Sequence, residues 1–293
     1  MSRTVRPRTS LYDRVAEEAA SVVIRRYSTS FGVASRLLEP GVRQHVENIY
    51  ALVRLADEIV DGEAAAAGLS VVDATRQLGE LERETSFAID KGYSSNLVVH
   101  AFGLTARATG FGRSLTTPFF DSMRSDLSET THDQRSFERY VYGSAGVIGL
   151  MCLCAFLTGT EVTAGDRAEL ETGARALGAA FQKVNFLRDL GTDFRDLGRS
   201  YFPGVSVESF SEADKVRLLA DIDADLRVSA AAIPRLPTGS RRAVALAQSL
   251  FTELAARLRA TPADRLVVTR VRVPNAVKAR LAAQAAFGRV PKP

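Results

Sequence analysis

The sequence predicts an all-α protein, and three observations carry that prediction. Apolar residues recur at helix period along almost the whole 293-residue chain. The interruptions fall on Gly, Pro, Ser and Thr, the residues that punctuate helices. No segment alternates apolar and polar residues as a half-buried strand would, while Ala, Leu and Arg are frequent, Pro numbers 10 and Trp is absent.

Taken in order, the first helical pattern covers 11–37 and stops at Glu39-Pro40-Gly41. The second, 42–62, contains YALVRLADEIVD. Patterns at 70–90, 95–112 and 117–127 follow, with Thr116-Thr117-Pro118 read as the break before the last of them. The pattern at 134–158 holds the most apolar run, Val147 to Leu157, and 164–196 holds FQKVNFLRDLGTDF. RSYFPG (199–204) separates it from 211–232, LPTGS (236–240) precedes 239–260, and Thr261-Pro262 precedes 274–288. The expected architecture is about ten helices around a central apolar cavity or core. No repeat, linker or composition shift divides 1–293, which reads as a single domain with residues 1–10 as a disordered arm.

Hydrophobic content of 46% and charged content of 25% are ordinary for a globular protein. Cys152 and Cys154 lie in an apolar run without a nearby His, which argues for buried reduced thiols rather than zinc. The N-terminus lacks a signal-type apolar core, and Val147 to Leu157 is too short to span a bilayer. A cytoplasmic protein, peripheral at most to a membrane, is expected. Charge is uneven: 235–293 carries twelve basic and two acidic residues, a net +10, against 26 basic and 32 acidic, a net −6, elsewhere. That basic region suits anionic lipid or a phosphorylated substrate. Without a zinc-finger or aromatic nucleic-acid motif, nucleic acid is not an expected partner.

On a helical wheel at about 100° per residue, Tyr50, Arg54, Asp57 and Asp61 share a stripe roughly 60° wide. Leu52, Val53, Leu55, Ile59 and Val60 occupy most of the remaining circumference, flanked only by Glu58. A solvated face would be broader, so the stripe faces a cavity. Gln182, Asn185, Asp189 and Asp193 form a second stripe bounded by Phe186, Leu187 and Leu190. Carboxylates four residues apart repel one another. Their expected compensator is a divalent cation rather than another side chain, and Mg²⁺ suits oxygen donors without His or Cys. Two opposed Asp pairs around an apolar space suggest a diphosphate at the mouth and a hydrocarbon below.

YALVRLADEIVDG and QKVNFLRDLGTDFRDLGRSYFP resemble the two aspartate-rich signatures of the squalene/phytoene synthase family. Tyr27-Ser28-Thr29-Ser30-Phe31, Tyr140 with Ala145-Gly146-Val147-Ile148-Gly149, and RVRVPNAVK (270–278) are similar to three further segments of that family. The resemblance implies an isoprenoid-synthase fold and head-to-head joining of two prenyl diphosphates through a cyclopropyl diphosphate intermediate. It implies that Asp57, Asp61, Asn185, Asp189 and Asp193 bind Mg²⁺, with Mn²⁺ as an alternative. Tyr27, Ser28, Ser30, Phe31, Gln182, Arg188 and Gly149 would contact substrate. Tyr50, Arg54, Tyr140 and Tyr201 would act at the reaction centre. Two departures stand out: Thr29 where many members carry Lys, and Phe251 where Tyr is common.

Small Ser35, one turn beyond Phe31, favours a deep pocket and hence two geranylgeranyl diphosphates giving phytoene, without NADPH. A C30 synthase making squalene, dehydrosqualene or hydroxysqualene from farnesyl diphosphate is the alternative. A non-catalytic family homologue acting as an assembly factor would be expected to lose aspartates, and all four are present. A head-to-tail prenyltransferase or terpene cyclase leaves the Ala145–Gly149 helix unexplained. A di-iron bundle would want Glu-x-x-His pairs, which His45, His100 and His132 do not form, and they read as surface or capping groups.

Overall fold

The computed structural model describes residues 10–288, with the side chains of Thr29, Ser30 and Leu197 outside that description. The segment expected as a disordered arm lies, but for Ser10, outside the described residues. Ser10 itself opens α1 (Leu11–Tyr27) with a capping box: its hydroxyl accepts from the Asp13 N–H at 3.0 Å, and Asp13 accepts from the Ser10 N–H at 2.8 Å. The pattern expected as one helix over 11–37 is two. Ser28 is extended, and its hydroxyl accepts from the Phe31 N–H at 3.1 Å to start α2 (Thr29–Ser35). A serine that caps a new helix competes with continuation of the old one.

Next come α3 (Pro40–Val60), with Pro in its first turn, α4 (Glu63–Ala66), α5 (Val71–Lys91) and α6 (Leu97–Thr109). Pro118, read as a break, lies inside α7 (Arg113–Asp126), whose start at Arg113 is earlier than expected. The pattern at 134–158 is one rod with a defect: α8 (Gln134–Val141), a π turn (Tyr142–Gly146) and α9 (Val147–Leu157). This rod, Gln134–Leu157, is long and apolar enough to cross a membrane, unlike the shorter run weighed from sequence. In the structure it packs against α3, α7 and α10 (Ala164–Leu197). The chain ends with α11 (Glu212–Ala232), a 3₁₀ turn (Ile233–Arg235), α12 (Thr238–Ala260), α13 (Ala263–Leu266) and α14 (Asn275–Ala286). Among the described residues there is no strand, only an isolated parallel bridge between Thr131 and Ser200.

The two largest of five apolar clusters among the described residues hold most of these helices. One joins α10, α11 and α12 through Leu187, Leu190, Ile222, Leu254 and Leu258, and the other joins α3, α5, α6, α7 and α9 through Leu52, Leu78, Phe102, Phe119 and Val147. Gly149 permits the crossing of α9 over α10: a Cβ there would lie 2.3 Å from the Ala174 carbonyl oxygen. Its small size thus serves helix contact as well as the cavity it lines. The histidines are not surface groups. His100 is 4% exposed with Nε2 2.8 Å from Asp13 Oδ1, the His132 side chain is 3% exposed, and His45 Nδ1 lies 3.1 Å from Thr105 Oγ1.

Candidate active site

One face of α10 lines a cavity of about 910 Å³, from Leu170 through Gly173, Leu177, Phe181 and Asn185 to Arg188. At 1.5 Å per residue those eighteen steps span about 27 Å. Leu153, Phe156, Ile233 and Val244 make one end apolar, while Arg54, Asp57, Gln182, Asn185, Arg188 and Arg270 make the other polar. Tyr27, Ser28, Phe31, Ser35, Tyr50 and Gly149 also line it. The aromatic wall is wider than the sequence suggested. Phe181 stacks on Phe251 at 3.7 Å between centroids, and Phe31 lies 5.6 Å from Phe181 and 6.4 Å from Tyr50. The side chain of Ser30 is outside the described residues.

Asp61, Asp189, Asp193, Tyr140 and Tyr201 are not in the cavity wall; they lie beyond its polar end. There the two aspartate stretches do face one another, since Asp193 feels the charges of both Asp189 and Asp61. Two of the four carboxylates, Asp61 and Asp189, are paired with arginine side chains that the sequence reading did not expect. Arg199 Nη1 donates to Asp61 Oδ1 at 2.5 Å, Arg270 Nε donates to Asp189 Oδ1 at 2.8 Å, and Arg188 also pairs with Asp189. Arg54 Nη1 is 3.9 Å from Asp57 Oδ2, but its closer partner is Glu58, and its guanidinium sits 4.5 Å from the centre of the Tyr27 ring. Among the described residues no three His, Cys, Asp or Glu side chains converge on a common metal position.

A fifth carboxylate was invisible in sequence. Asp126, at the end of α7, accepts from the Tyr140 hydroxyl at 2.7 Å and has Arg199 Nη1 3.7 Å away. Arg199 Nη1 also donates to the Tyr201 hydroxyl at 3.1 Å, and Tyr140, Tyr201 and Phe186 stack together with His132. Wheel projection did not single out Asp126: the other acidic residue of α7, Asp121, lies five positions before it and off its face, and Asp61 is 65 positions away in sequence.

Burial pushes Asp57, Asp126 and Asp193 up to about 7 each, with the Asp61 charge adding to all three and the Asp189 charge adding to Asp193. Such mutual repulsion among hard oxygen donors fits a divalent cation of the Mg²⁺ type, with Asp57, Asp61, Asn185, Asp189 and Asp193 as candidate holders. The shift also has a consequence for stability. Each folded pKa lies above the ordinary Asp value of 3.8, so between 3.8 and about 7 the folded chain holds protons that the unfolded chain has released. That contribution is complete below 3.8 and disappears as pH rises towards 7. In chelator, the melting temperature of Asp57→Asn should therefore gain on that of wild type between about pH 4 and 7 and hold a constant lead above. A gap independent of pH would refute the raised pKa.

A family model for squalene/phytoene synthases matches residues 24–277. The phytoene synthase of Pseudescherichia vulneris is 27% identical over 254 residues, covering 80% of this chain and 79% of that one. The chloroplastic phytoene synthase 3 of Zea mays is 32% identical over 200 residues, 66% of this chain but only 44% of the maize protein's length. A crystal structure of a dehydrosqualene synthase superposes with a TM-score of 0.77 at 22% identity, covering 94% of this chain and 96% of that one.

Proposed function

The chain belongs to the squalene/phytoene synthase family, and from that membership we propose that it joins two geranylgeranyl diphosphates head to head to give phytoene. The observation that carries this reading is a long cavity, apolar at one end, with both aspartate helices meeting at its polar end. At about 910 Å³ the cavity is near the top of the roughly 300–1,000 Å³ range of ligand pockets, as two long chains require. Ser35 is buried in its wall, where a larger side chain would shorten the space.

Arg54 and Arg188 present N–H groups to diphosphate oxygens at that end, and Gln182, Ser28 and Tyr27 add polar contacts. Mg²⁺, or Mn²⁺ in its place, would be held by Asp57, Asp61, Asn185, Asp189 and Asp193 and supplies neutralisation of the departing diphosphate. The rings of Phe31, Tyr50, Phe181 and Phe251 line the wall, where their π-faces stabilise a carbocation. The apolar wall keeps water from quenching it. Tyr140 and Tyr201 act from behind, through the hydroxyls they hold to Asp126 and Arg199. In sum two C–O bonds break and two protons leave, so no reductant is consumed. We place the enzyme in the cytoplasm, in peripheral contact with membrane lipid that receives the hydrocarbon product.

Purified protein with Mg²⁺ and geranylgeranyl diphosphate should release diphosphate and accumulate a C40 hydrocarbon, equally with and without NADPH. Consumption of farnesyl diphosphate alone would replace this reading with a C30 synthase. The shared fold of a dehydrosqualene synthase does not select between chain lengths.

A further inference from the structure

Arg199 lies just beyond the second aspartate stretch in sequence, yet it reaches the first one. Its side chain is 7% exposed and is gripped on several sides. Nη1 donates to Asp61 and to the Tyr201 hydroxyl, Nη2 donates to the Asp126 carbonyl oxygen at 2.7 Å, and its backbone N–H donates to the Asp193 carbonyl at 3.2 Å. The next residue is anchored as well, the Ser200 N–H donating to the Thr130 carbonyl at 2.8 Å. The neighbouring arginines are engaged elsewhere: Arg54 with Glu58, Arg188 and Arg270 with Asp189.

We propose that Arg199 is a positioning residue that holds Asp61 as an internal counter-ion, so that a divalent cation gains this carboxylate only together with a diphosphate. A guanidinium fixed by Tyr201 and Asp126 cannot retreat when a cation approaches Asp61, and like charges a few ångströms apart repel strongly in a half-buried setting. A diphosphate brings the negative charge that offsets this repulsion. Metal and diphosphate binding thereby become coupled, each strengthening the other. The inference rests on the reading of Asp61 as a metal ligand.

The test measures Mn²⁺ binding by the electron paramagnetic resonance signal of free Mn²⁺, with and without inorganic diphosphate, on the full chain. Wild type should bind Mn²⁺ weakly alone and about tenfold or more tightly with diphosphate. Arg199→Gln should bind Mn²⁺ alone about tenfold more tightly than wild type and lose most of the diphosphate enhancement, whereas Arg199→Lys, which keeps the charge, should stay near wild type. Should Arg199→Gln fail to fold, Arg199→Gln with Asp126→Asn removes both buried charges together and must show the same tightening. Unchanged or weaker Mn²⁺ binding in the folded Gln variant overturns the role of Arg199 while leaving the metal reading intact. Wild type that binds no Mn²⁺ even with diphosphate overturns the metal reading and this inference with it.

Discussion

Exchanging Asp57 and Asp189 for asparagine is expected to reduce turnover of prenyl diphosphate about 1,000-fold or more, the scale on which loss of charge stabilisation at a reacting group is felt. The same exchange at Asp57 should not weaken the fold. Asp57 is pushed up to about 7 by burial and by Asp61, so the folded protein bears its ionised form at a cost that asparagine does not share. Asp189 differs, being paired with both Arg188 and Arg270. Its replacement frees two arginines at the polar end of the cavity, and their charge would then favour a bound diphosphate. The combined signature is a collapse of kcat with a KM that changes far less, in a protein that melts near the wild-type temperature. Intact turnover in the double variant would remove these aspartates from the chemistry and with them the proposed metal site.

The second large effect is steric. Gly191 lies between Asp189 and Asp193, and a Cβ on it would come within 1.7 Å of the Val267 carbonyl oxygen. Segment 267–273 lies across α10 at this point, held by Arg195 Nη1 donating to the Val267 carbonyl at 2.9 Å and by Arg270 on Asp189. In an exposed helix Gly→Ala stabilises, because alanine is the better helix former by about 1 kcal/mol. Here the sign reverses, since neither backbone can yield without lifting the segment. Overpacking of this kind costs about 1–3 kcal/mol. Gly191→Ala should therefore lower the melting temperature by several degrees. It should also raise KM for prenyl diphosphate markedly, because Arg270, Val271, Arg272 and Val273 form part of the cavity wall. A variant as stable and active as wild type would show that the close approach at Gly191 does not matter.

Much of this site was legible in the chain. The stripes Tyr50–Arg54–Asp57–Asp61 and Gln182–Asn185–Asp189–Asp193 need only helix period to be seen, and Arg54, Asp57, Gln182, Asn185 and Arg188 do line the cavity. Helix ends were less legible. Ser28 and Pro118 have opposite outcomes to their local reading because capping at Ser28 outweighs continuity, while α7 continues through Pro118. The π turn at Tyr142–Gly146 left no periodic mark beyond its small residues. His132 gave no signal at all, since a single histidine in a polar stretch becomes a buried ring on Tyr140 only when α8 folds against the loop after α10.

Sequence alone settled that the protein is helical, which residues share a face, and that two aspartate pairs sit on largely apolar helices. Those are properties of near neighbours, and backbone geometry sets them within a few turns. Which charge meets which carboxylate was decided only by the tertiary structure. Arg199 reaches Asp61 across 138 positions and Arg270 reaches Asp189 across 81. Periodicity carries no information over such distances. Electrostatic compensation depends on separation in space, and only the packed helices define it.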